Sequence, residues 1–144
     1  MIPKFDNKKV LCIGEVLWDN LPNGTKPGGA LLNITHHLHK NNIPVTLVSK
    51  VGTDKKGIEP LGHMKAARLK TDAIYFDDML ATSEVGVNID GFKNIKYNIS
   101  DPVVWDNLKI DMKIIDAAGT AGVVFYGSLA SRNKVSRDTI NLLL

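Results

Sequence analysis

Val10-Leu11-Cys12-Ile13-Gly14, the first apolar run of the chain, indicates how the rest of the sequence folds. Four consecutive apolar residues closed by a glycine are typical of a strand buried inside a sheet. Val123-Val124-Phe125-Tyr126 repeats this pattern before Gly127, and Val45-Thr46-Leu47-Val48 is a similar run that ends at Val51-Gly52. From Leu31 to Leu38, in contrast, the apolar residues recur at helical intervals. Strands that alternate with helices predict an α/β fold with a largely parallel sheet.

Further elements are predicted from similar patterns. Ala73-Ile74-Tyr75-Phe76 is another strand candidate, and the apolar spacing after Asp54 predicts a helix that reaches Leu69 with Asp54 as its N-cap. Pro60 is expected in the first turn of that helix, where its missing N–H costs little. The remaining predicted helices are those over Met112 to Ala118, capped by Asp111, and from Ser136 to Leu144.

Two segments lie outside this alternation. Asn20 to Gly29 contains two prolines and three glycines, so we expect it to be a loop. Val85 to Ile89 and Ile95 to Ile99 alternate with a period of two on either side of an Asp90-Gly91 turn. This pattern predicts an antiparallel hairpin with one buried face and one wet face. We expect the hairpin to stand partly outside the main sheet.

The composition excludes several classes of protein. A chain of 144 residues, 44% of them hydrophobic, is long enough for one domain with a real core. Its net charge is only +3, and its lysine pairs are not interleaved with aromatic residues, so nucleic acid is not an expected partner. No apolar run approaches the ~20 residues of a membrane span, and Met1 to Lys9 lacks the apolar stretch of a signal peptide. We expect a cytoplasmic protein whose single cysteine, Cys12, is a buried, reduced thiol.

The connection after the first strand is the first candidate for a ligand site, because open α/β sheets bind ligands at the carboxyl ends of their strands. Neither a three-glycine dinucleotide fingerprint nor a Gly-Lys-Ser/Thr phosphate loop occurs in the sequence, which disfavours a nucleotide-binding domain. Asp19 and Asn33, together with the paired glycines Gly28 and Gly29, suit the vicinal hydroxyls of a sugar. A structural turn with a surface asparagine explains these residues equally well.

Histidine and tryptophan side chains also allow two interpretations each. His36, His37 and His39 share one predicted helix, but their spacing differs from the i, i+4 pair of zinc-binding helices. That difference favours ordinary helix histidines over a metal site. Trp18 and Trp105 suit either stacking on a sugar or packing in the core or the lid, and packing is at least as well supported for each.

Four motifs occur in order along most of the chain. They are Gly14-Glu15-Val16-Leu17-Trp18-Asp19, Pro27-Gly28-Gly29-Ala30 with Asn33, Val51-Gly52-Thr53-Asp54 with Gly57, and Phe125-Tyr126-Gly127-Ser128-Leu129-Ala130 with Arg132. Together they resemble the N-terminal half of the ribokinase-type (PfkB family) carbohydrate kinases. The Trp18-Asp19 pair favours the fructokinase-like members of that family.

The resemblance implies a ribokinase-like α/β fold, with a largely parallel sheet, flanking helices and a small β-hairpin lid. Residues 1–144 would form the N-terminal part of a single sugar kinase domain, with the lid inserted at about 16–26 and 82–102. In the family the lid covers the sugar and often joins two subunits. The expected partners are therefore a small-molecule sugar and a second copy of the chain, bound through the lid.

The same resemblance implies roles for several residues of this sequence. Asp19 matches an acidic residue that accepts sugar hydroxyls, and Asn33 matches an amide that contacts the sugar. Gly28 and Gly29 match a hinge that moves when substrate binds.

Two further residues, Gly127 and Arg132, match the end of a strand that faces the substrate. No residue of the chain matches a catalytic or metal-binding position of the family. The full-length protein would use ATP and Mg²⁺ to phosphorylate a sugar hydroxyl, and this chain by itself is expected to bind neither.

The family's catalytic aspartate lies in a Gly-Ala-Gly-Asp turn, and this sequence has no such turn. Gly119-Thr120-Ala121-Gly122 is the nearest segment, but it lacks the aspartate and precedes a predicted strand, so we expect it to be a connector. We therefore expect the C-terminal half to be absent and to begin after the apolar last turn, Ile140 to Leu144. The chain alone would then be inactive. The alternative is a truncated sugar-binding or dimerisation module without catalytic activity.

Overall fold

The computed structural model describes residues 8–92 and 94–144. Most of the polar start of the chain, and Lys93 of the predicted turn, lie outside the described residues. The strands are β1 Lys9–Ile13, β2 Leu17–Leu21, β3 Gly24–Gly28, β4 Val45–Gly52, β5 Ile74–Asp77, β6 Ser83–Ile89, β7 Ile95–Ile99 and β8 Ala121–Tyr126. The helices are α1 Ala30–Lys40, α2 Lys55–Ala66, α3 Met112–Gly119 and α4 Lys134–Leu143, with a 3₁₀ turn at Val104–Asn107.

The first sheet confirms the predicted α/β class. Its strand order is β5-β4-β1-β8, and every neighbouring pair runs parallel. Val10 of β1 is paired with Val45 of β4 on one side and with Val123 of β8 on the other. The three apolar runs therefore form the middle and one edge of this sheet, and the fourth predicted strand, Ala73 to Phe76, forms the other edge as β5. The expectation that the run from Val123 to Tyr126 is buried is wrong, because β8 is an edge strand whose Phe125 and Tyr126 are 40% and 51% exposed.

Helices cover both faces of the first sheet. Successive side chains of a strand point to opposite faces, and Val10 and Cys12 pack with residues of α1 and α2. Leu11 and Ile13 pack instead with Ile114 of α3 and with α4. Cys12 is a free thiol with no exposed surface, as predicted.

The ends of two predicted helices differ from the sequence interpretation. Helix α2 ends at Ala66 rather than Leu69, because Arg68 adopts a positive φ of 59°, which a helix cannot contain. Helix α4 begins before Ser136, at Lys134. The apolar residues of its last turn are not all buried: Ile140 is 1% exposed, whereas Leu142 is 71% exposed.

A second sheet contains the strands that the sequence interpretation missed. Its order is β3-β2-β6-β7. The prediction of a loop over Asn20 to Gly29 is wrong, because Leu17–Leu21 and Gly24–Gly28 form an antiparallel pair. Gly24, with a φ of 133°, follows the two-residue turn. Pro27 is tolerated because β3 is an edge strand, where no partner needs its missing N–H.

The predicted hairpin forms the other half of the second sheet. β6 and β7 pair antiparallel, and the Asp90 carboxylate accepts hydrogen bonds from the backbone N–H groups of Phe92 and Asn94 in the turn. The expectation of a buried apolar face is wrong for β7. Ile95 is 54% exposed and Tyr97 is 65% exposed, because no described element packs over this end of the sheet.

A hydrogen bond from Trp18 joins the second sheet to α2. Pro60 lies in the second turn of α2, not in the first turn as predicted, so it leaves the carbonyl of Lys56 without its helical N–H partner. The indole Nε1 of Trp18 donates to that carbonyl at 2.7 Å. Trp18 is buried and lies edge-on to His63. Of the two interpretations for Trp18, core packing is therefore correct.

A second connection links the start of α2 to the root of β6. The Asp54 carboxylate caps α2, as predicted, by accepting from the Gly57 N–H at 2.8 Å. It also accepts from the hydroxyl of Thr82, whose oxygen in turn accepts from the Gly52 N–H. These bonds bring α2 so close to the end of β4 that a Cβ at Gly57 would lie 1.9 Å from the carbonyl oxygen of Gly52.

We expect Gly57→Ala to lower the free energy of unfolding by roughly 1 to 3 kcal/mol, because the added methyl group collides with backbone. Gly62→Ala is the matched control in the same helix, where a Cβ would meet nothing within 4 Å. It should raise the free energy of unfolding by about 0.5 to 1 kcal/mol, since alanine is the better helix former. Urea unfolding followed by tryptophan fluorescence measures both changes. A stabilising effect of Gly57→Ala would contradict the close approach.

Candidate active site

The candidate site begins with Asp19 in the middle of β2. Its side chain is half-buried, and among residues 8–92 and 94–144 it takes part in no hydrogen bond or ion pair. A Cβ on Gly28 would lie 2.0 Å from Asp19 Oδ2, so the carboxylate rests on the bare Cα of that glycine. The structure therefore brings these two predicted residues together.

Gly29 turns the chain from β3 into α1. It is the N-cap of the helix and has a φ of 113°. A side chain there would be strained, and its Cβ would lie 2.4 Å from the carbonyl oxygen of Glu15. Both the conformation and the space at this position require glycine.

Glu15 is a residue of the site that the sequence interpretation did not single out. It follows β1, is only 3% exposed, and accepts a hydrogen bond from the Ala30 N–H at 3.0 Å through Oε1. Burial raises the pKa of its carboxyl group, against the opposing effect of backbone hydrogen bonds. The available signal was an acidic residue between two apolar pairs, Ile13-Gly14 and Val16-Leu17.

Gly127 meets the same glutamate from the end of β8. A Cβ on Gly127 would lie 2.7 Å from Glu15 Oε2 and 2.8 Å from a methyl carbon of Leu31. The carboxyl ends of β1 and β8 and the start of α1 therefore converge at this point. Of the predicted residues, Gly29 and Gly127 meet here, next to Asp19 and Gly28.

Asn33 lies elsewhere, on the exposed side of α1. It lines a groove of about 250 Å³ between α1 and α2, together with Pro27, His36 and His63. Pro27 pairs with Trp18, whereas Asp19 is the next residue of β2 and points to the opposite face of the sheet. No hydrogen bond between Asn33 and Asp19 is present in the described part of the chain, so a shared sugar contact stays a prediction.

Arg132 is bound to protein groups. Its guanidinium donates to both oxygens of the Asp106 carboxylate, at 2.9 and 2.6 Å, and to the carbonyl of Ser100. It also stacks over the ring of Trp105, 4.5 Å from the ring centre. Asp106 raises the pKa of Arg132 through these bonds. The arginine thus ties the end of β7 to the 3₁₀ turn, and its predicted contact with substrate stays a prediction.

Trp105 and the histidines were the other side chains for which the sequence allowed two interpretations. Trp105 has no exposed surface and packs with Val103, Val104 and Ala130, so its role is in the core. Within the ranges that the structure describes, no three His, Cys, Asp or Glu side chains are grouped so that they could hold a metal ion. No helix within the described residues is long and apolar enough to cross a membrane.

The arrangement suits binding of a polyol. The Asp19 carboxylate offers two acceptor oxygens, and each can take a hydrogen bond from a hydroxyl group. The neighbouring glycines leave the backbone accessible and allow the turn to change its φ and ψ angles.

Sugar kinases are similar to this chain in sequence and in fold. An uncharacterized sugar kinase of Pyrococcus horikoshii is 26% identical over 114 residues, which are 79% of this chain and 36% of that protein. Its crystal structure matches with a TM-score of 0.81 and 25% identity, over 93% of this chain and 50% of the other. The fructokinase of Halothermothrix orenii matches with a TM-score of 0.79 and 23% identity, over 94% of this chain and 51% of that one. No family model matches the chain.

The fold is thus of the ribokinase-like α/β class, as expected. The predicted resemblance to fructokinase-like sugar kinases is confirmed over nearly the whole chain. The chain spans about half the length of the solved sugar kinases that it matches and about a third of the curated relative.

We expect Arg132→Ala to lower the free energy of unfolding by roughly 3 kcal/mol, because it leaves the buried carboxylate of Asp106 without its partner. Arg132→Lys should recover only part of this loss, since lysine cannot form the two-pronged bond or the stacking on Trp105. Lys134→Ala is the control, because it breaks an exposed ion pair with Asp138 and should change stability by less than about 0.5 kcal/mol. Urea unfolding measures all three. Equal stabilities of Arg132→Ala and Lys134→Ala would refute the anchoring role.

Proposed function

We propose that this chain forms the sugar-binding part of a fructokinase-like sugar kinase. The observation that carries the proposal is the Asp19 carboxylate, which rests on Gly28 and has no protein partner in the described residues. The similarity to sugar kinases and fructokinases supports the choice of ligand. One related structure, the fructokinase of Vibrio cholerae, contains fructose, ADP and a potassium ion.

In this proposal Asp19 orients the sugar. A carboxylate that accepts two vicinal hydroxyls fixes both the position and the rotation of the ring, which is what directed phosphorylation of one hydroxyl requires. Gly28 and Gly29 act as the hinge that lets α1 and the second sheet adjust around the ligand. Asn33 contributes its amide if that adjustment brings the start of α1 over the sugar.

The second sheet is proposed as the lid, with its two segments at about 16–26 and 82–102. Directly paired residues lie on the same face of a sheet, and Asp19 pairs with Val85, which pairs with Ile99. Two positions further along β7, Tyr97 lies on that face too. An apolar surface therefore extends from the carboxylate through the buried Val85 to the exposed Tyr97, and it is suited to covering the C–H groups of a sugar and excluding water.

Phosphoryl transfer is proposed for the full-length protein, in the cytoplasm. ATP, when bound, would supply the phosphoryl group, and Mg²⁺ would neutralise the charge on its phosphates. A related sugar kinase structure contains ATP. The residues of this chain would hold the sugar and exclude water, while the catalytic Gly-Ala-Gly-Asp turn would come from sequence outside these 144 residues.

A second candidate is a sugar-binding or dimerisation module without catalysis. The exposed side chains of Ile95 and Tyr97 favour it, because apolar strand surfaces in water commonly mark a binding partner. A second copy of the chain would pack its own hairpin on this surface. Elution at twice the chain mass in size-exclusion chromatography supports this arrangement, and elution as a monomer argues against it.

We expect Asp19→Ala to weaken the binding of fructose to this chain at least about tenfold, because each hydrogen bond to a charged acceptor is worth about 1.5 to 3 kcal/mol. Asn33→Ala should weaken binding less, since a neutral amide bond is weaker. Asp116→Ala and Asn141→Ala, at exposed positions on α3 and α4, are the matched controls. Isothermal titration calorimetry measures the affinities. If both Asp19→Ala and Asn33→Ala bind fructose as tightly as the wild type, these two residues do not form the sugar site.

We also expect no phosphorylation of fructose by the purified chain with ATP and Mg²⁺, because the residues that activate the acceptor hydroxyl are absent from its sequence. A coupled assay for ADP release measures the rate, with a complete fructokinase as the positive control. ATP-dependent formation of sugar phosphate above the background rate would overturn this expectation.

A further inference from the structure

Glu15 carries one buried carboxylate oxygen that no protein group satisfies. Oε1 accepts from the Ala30 N–H, whereas Oε2 is buried and has no hydrogen-bond partner in the part of the chain that the structure describes. Burial of a carboxylate with a single hydrogen bond is costly. An apolar side chain would fill the same volume at lower cost but could not accept from the Ala30 N–H, so the role of Glu15 is more than filling space.

Three contacts of Glu15 converge on the proposed sugar site. Its carbonyl oxygen lies against Gly29, its Oε1 holds the first N–H of α1, and its Oε2 lies against Gly127. Gly29 is the N-cap of α1 and has no side chain that could cap the helix. Glu15 replaces that missing cap from the end of another strand, and the positive end of the helix dipole favours its carboxylate.

The cap determines where Asp19 lies. Gly28, on which the Asp19 carboxylate rests, is joined through Gly29 to Ala30, the residue that Glu15 holds. A shift of Ala30 therefore moves Gly28 and, with it, the surface that supports Asp19. Glu15 itself is only 3% exposed, so its effect on a ligand acts through the groups that it holds.

We propose that Glu15 is a positioning residue for sugar binding. It fixes the Gly28–Gly29 turn and the start of α1 to the carboxyl ends of β1 and β8, and thereby sets the orientation of Asp19. This inference rests on the proposed sugar-binding function. Glu15 acts in this way because its side chain is long enough to accept a hydrogen bond from the Ala30 N–H. A glutamine has the same length and an acceptor oxygen, so it can replace Glu15.

Two conservative variants of the 144-residue chain test this inference. Glu15→Asp keeps the charge but is one methylene too short to reach the Ala30 N–H. Glu15→Gln loses the charge but keeps the reach and an acceptor oxygen. Glu59→Asp, at an exposed position on α2, is the control for the loss of a methylene. Each variant is titrated with fructose by calorimetry, and amide hydrogen exchange at Ala30 is followed by NMR in the absence of sugar.

For Glu15→Asp we expect fructose affinity to fall about tenfold or more and exchange at Ala30 to accelerate by a similar factor, as for loss of one charge-assisted hydrogen bond. Glu15→Gln should stay within about threefold of the wild type in both measurements, and Glu59→Asp should not differ from it. Wild-type affinity in Glu15→Asp, or an equal loss in Glu15→Gln, overturns the inference while leaving the proposed function intact. If the wild-type chain binds fructose and other hexoses not at all, the proposed function and this inference both fail.

Discussion

The burial of β1 on both of its faces is the constraint on which the other elements depend. Cys12 and Ile13 have no exposed surface, and the strand is paired on both edges, with β4 and β8. Neither face can be left to water, so one pair of helices must cover each side. After the exposed Lys9 at its start, the strand carries only buried apolar side chains, and the next charged residue is Glu15, just beyond its end. The candidate site lies where this apolar strand ends.

The junction between the two sheets depends on a helix that lacks one of its own hydrogen bonds. Proline at position 60 frees the carbonyl of Lys56, and Trp18 of the second sheet takes it. The carbonyl that has no hydrogen-bond partner within α2 thus forms a hydrogen bond between α2 and the second sheet. Together with the contacts of Asp54 and Thr82, it holds the root of the second sheet on α2. The tip of that sheet, with Tyr97, lacks any comparable support.

The first sheet could be predicted from the sequence because each of its strands contains a short apolar run, although the expected burial holds for β1 and not for β8. The second sheet could be predicted only in part. β6 and β7 alternate regularly, but β2 and β3 contain proline, glycine, asparagine and lysine, residues that local propensity assigns to loops. β2 is a strand because pairing with β6 on one side and with β3 on the other outweighs that propensity. An edge strand such as β3 needs neither apolar alternation nor high strand propensity.

The candidate site, too, could be predicted only in part. Asp19, Gly28, Gly29 and Gly127 could be named because their motifs require special residue types, and three of them are glycines without room for a Cβ. Glu15 escaped prediction because its partner, the N–H of Ala30, is a backbone group that leaves no trace in the sequence. Arg132 could be named, but not its long-range partner Asp106.

The single cysteine gives the molecule a built-in reporter of its own opening. Cys12 lies in the most protected strand, has no exposed surface, and has a thiol whose pKa is raised by burial. A thiol reagent in solution meets the sulfur only when α1 and α2 move off the first sheet or the sheet itself opens, since Cys12 is covered by these helices. The rate at which a thiol reagent labels the wild-type chain therefore measures how often the core around Cys12 opens. No engineered probe is needed to separate loosening of the lid from unfolding of the sheet beneath it.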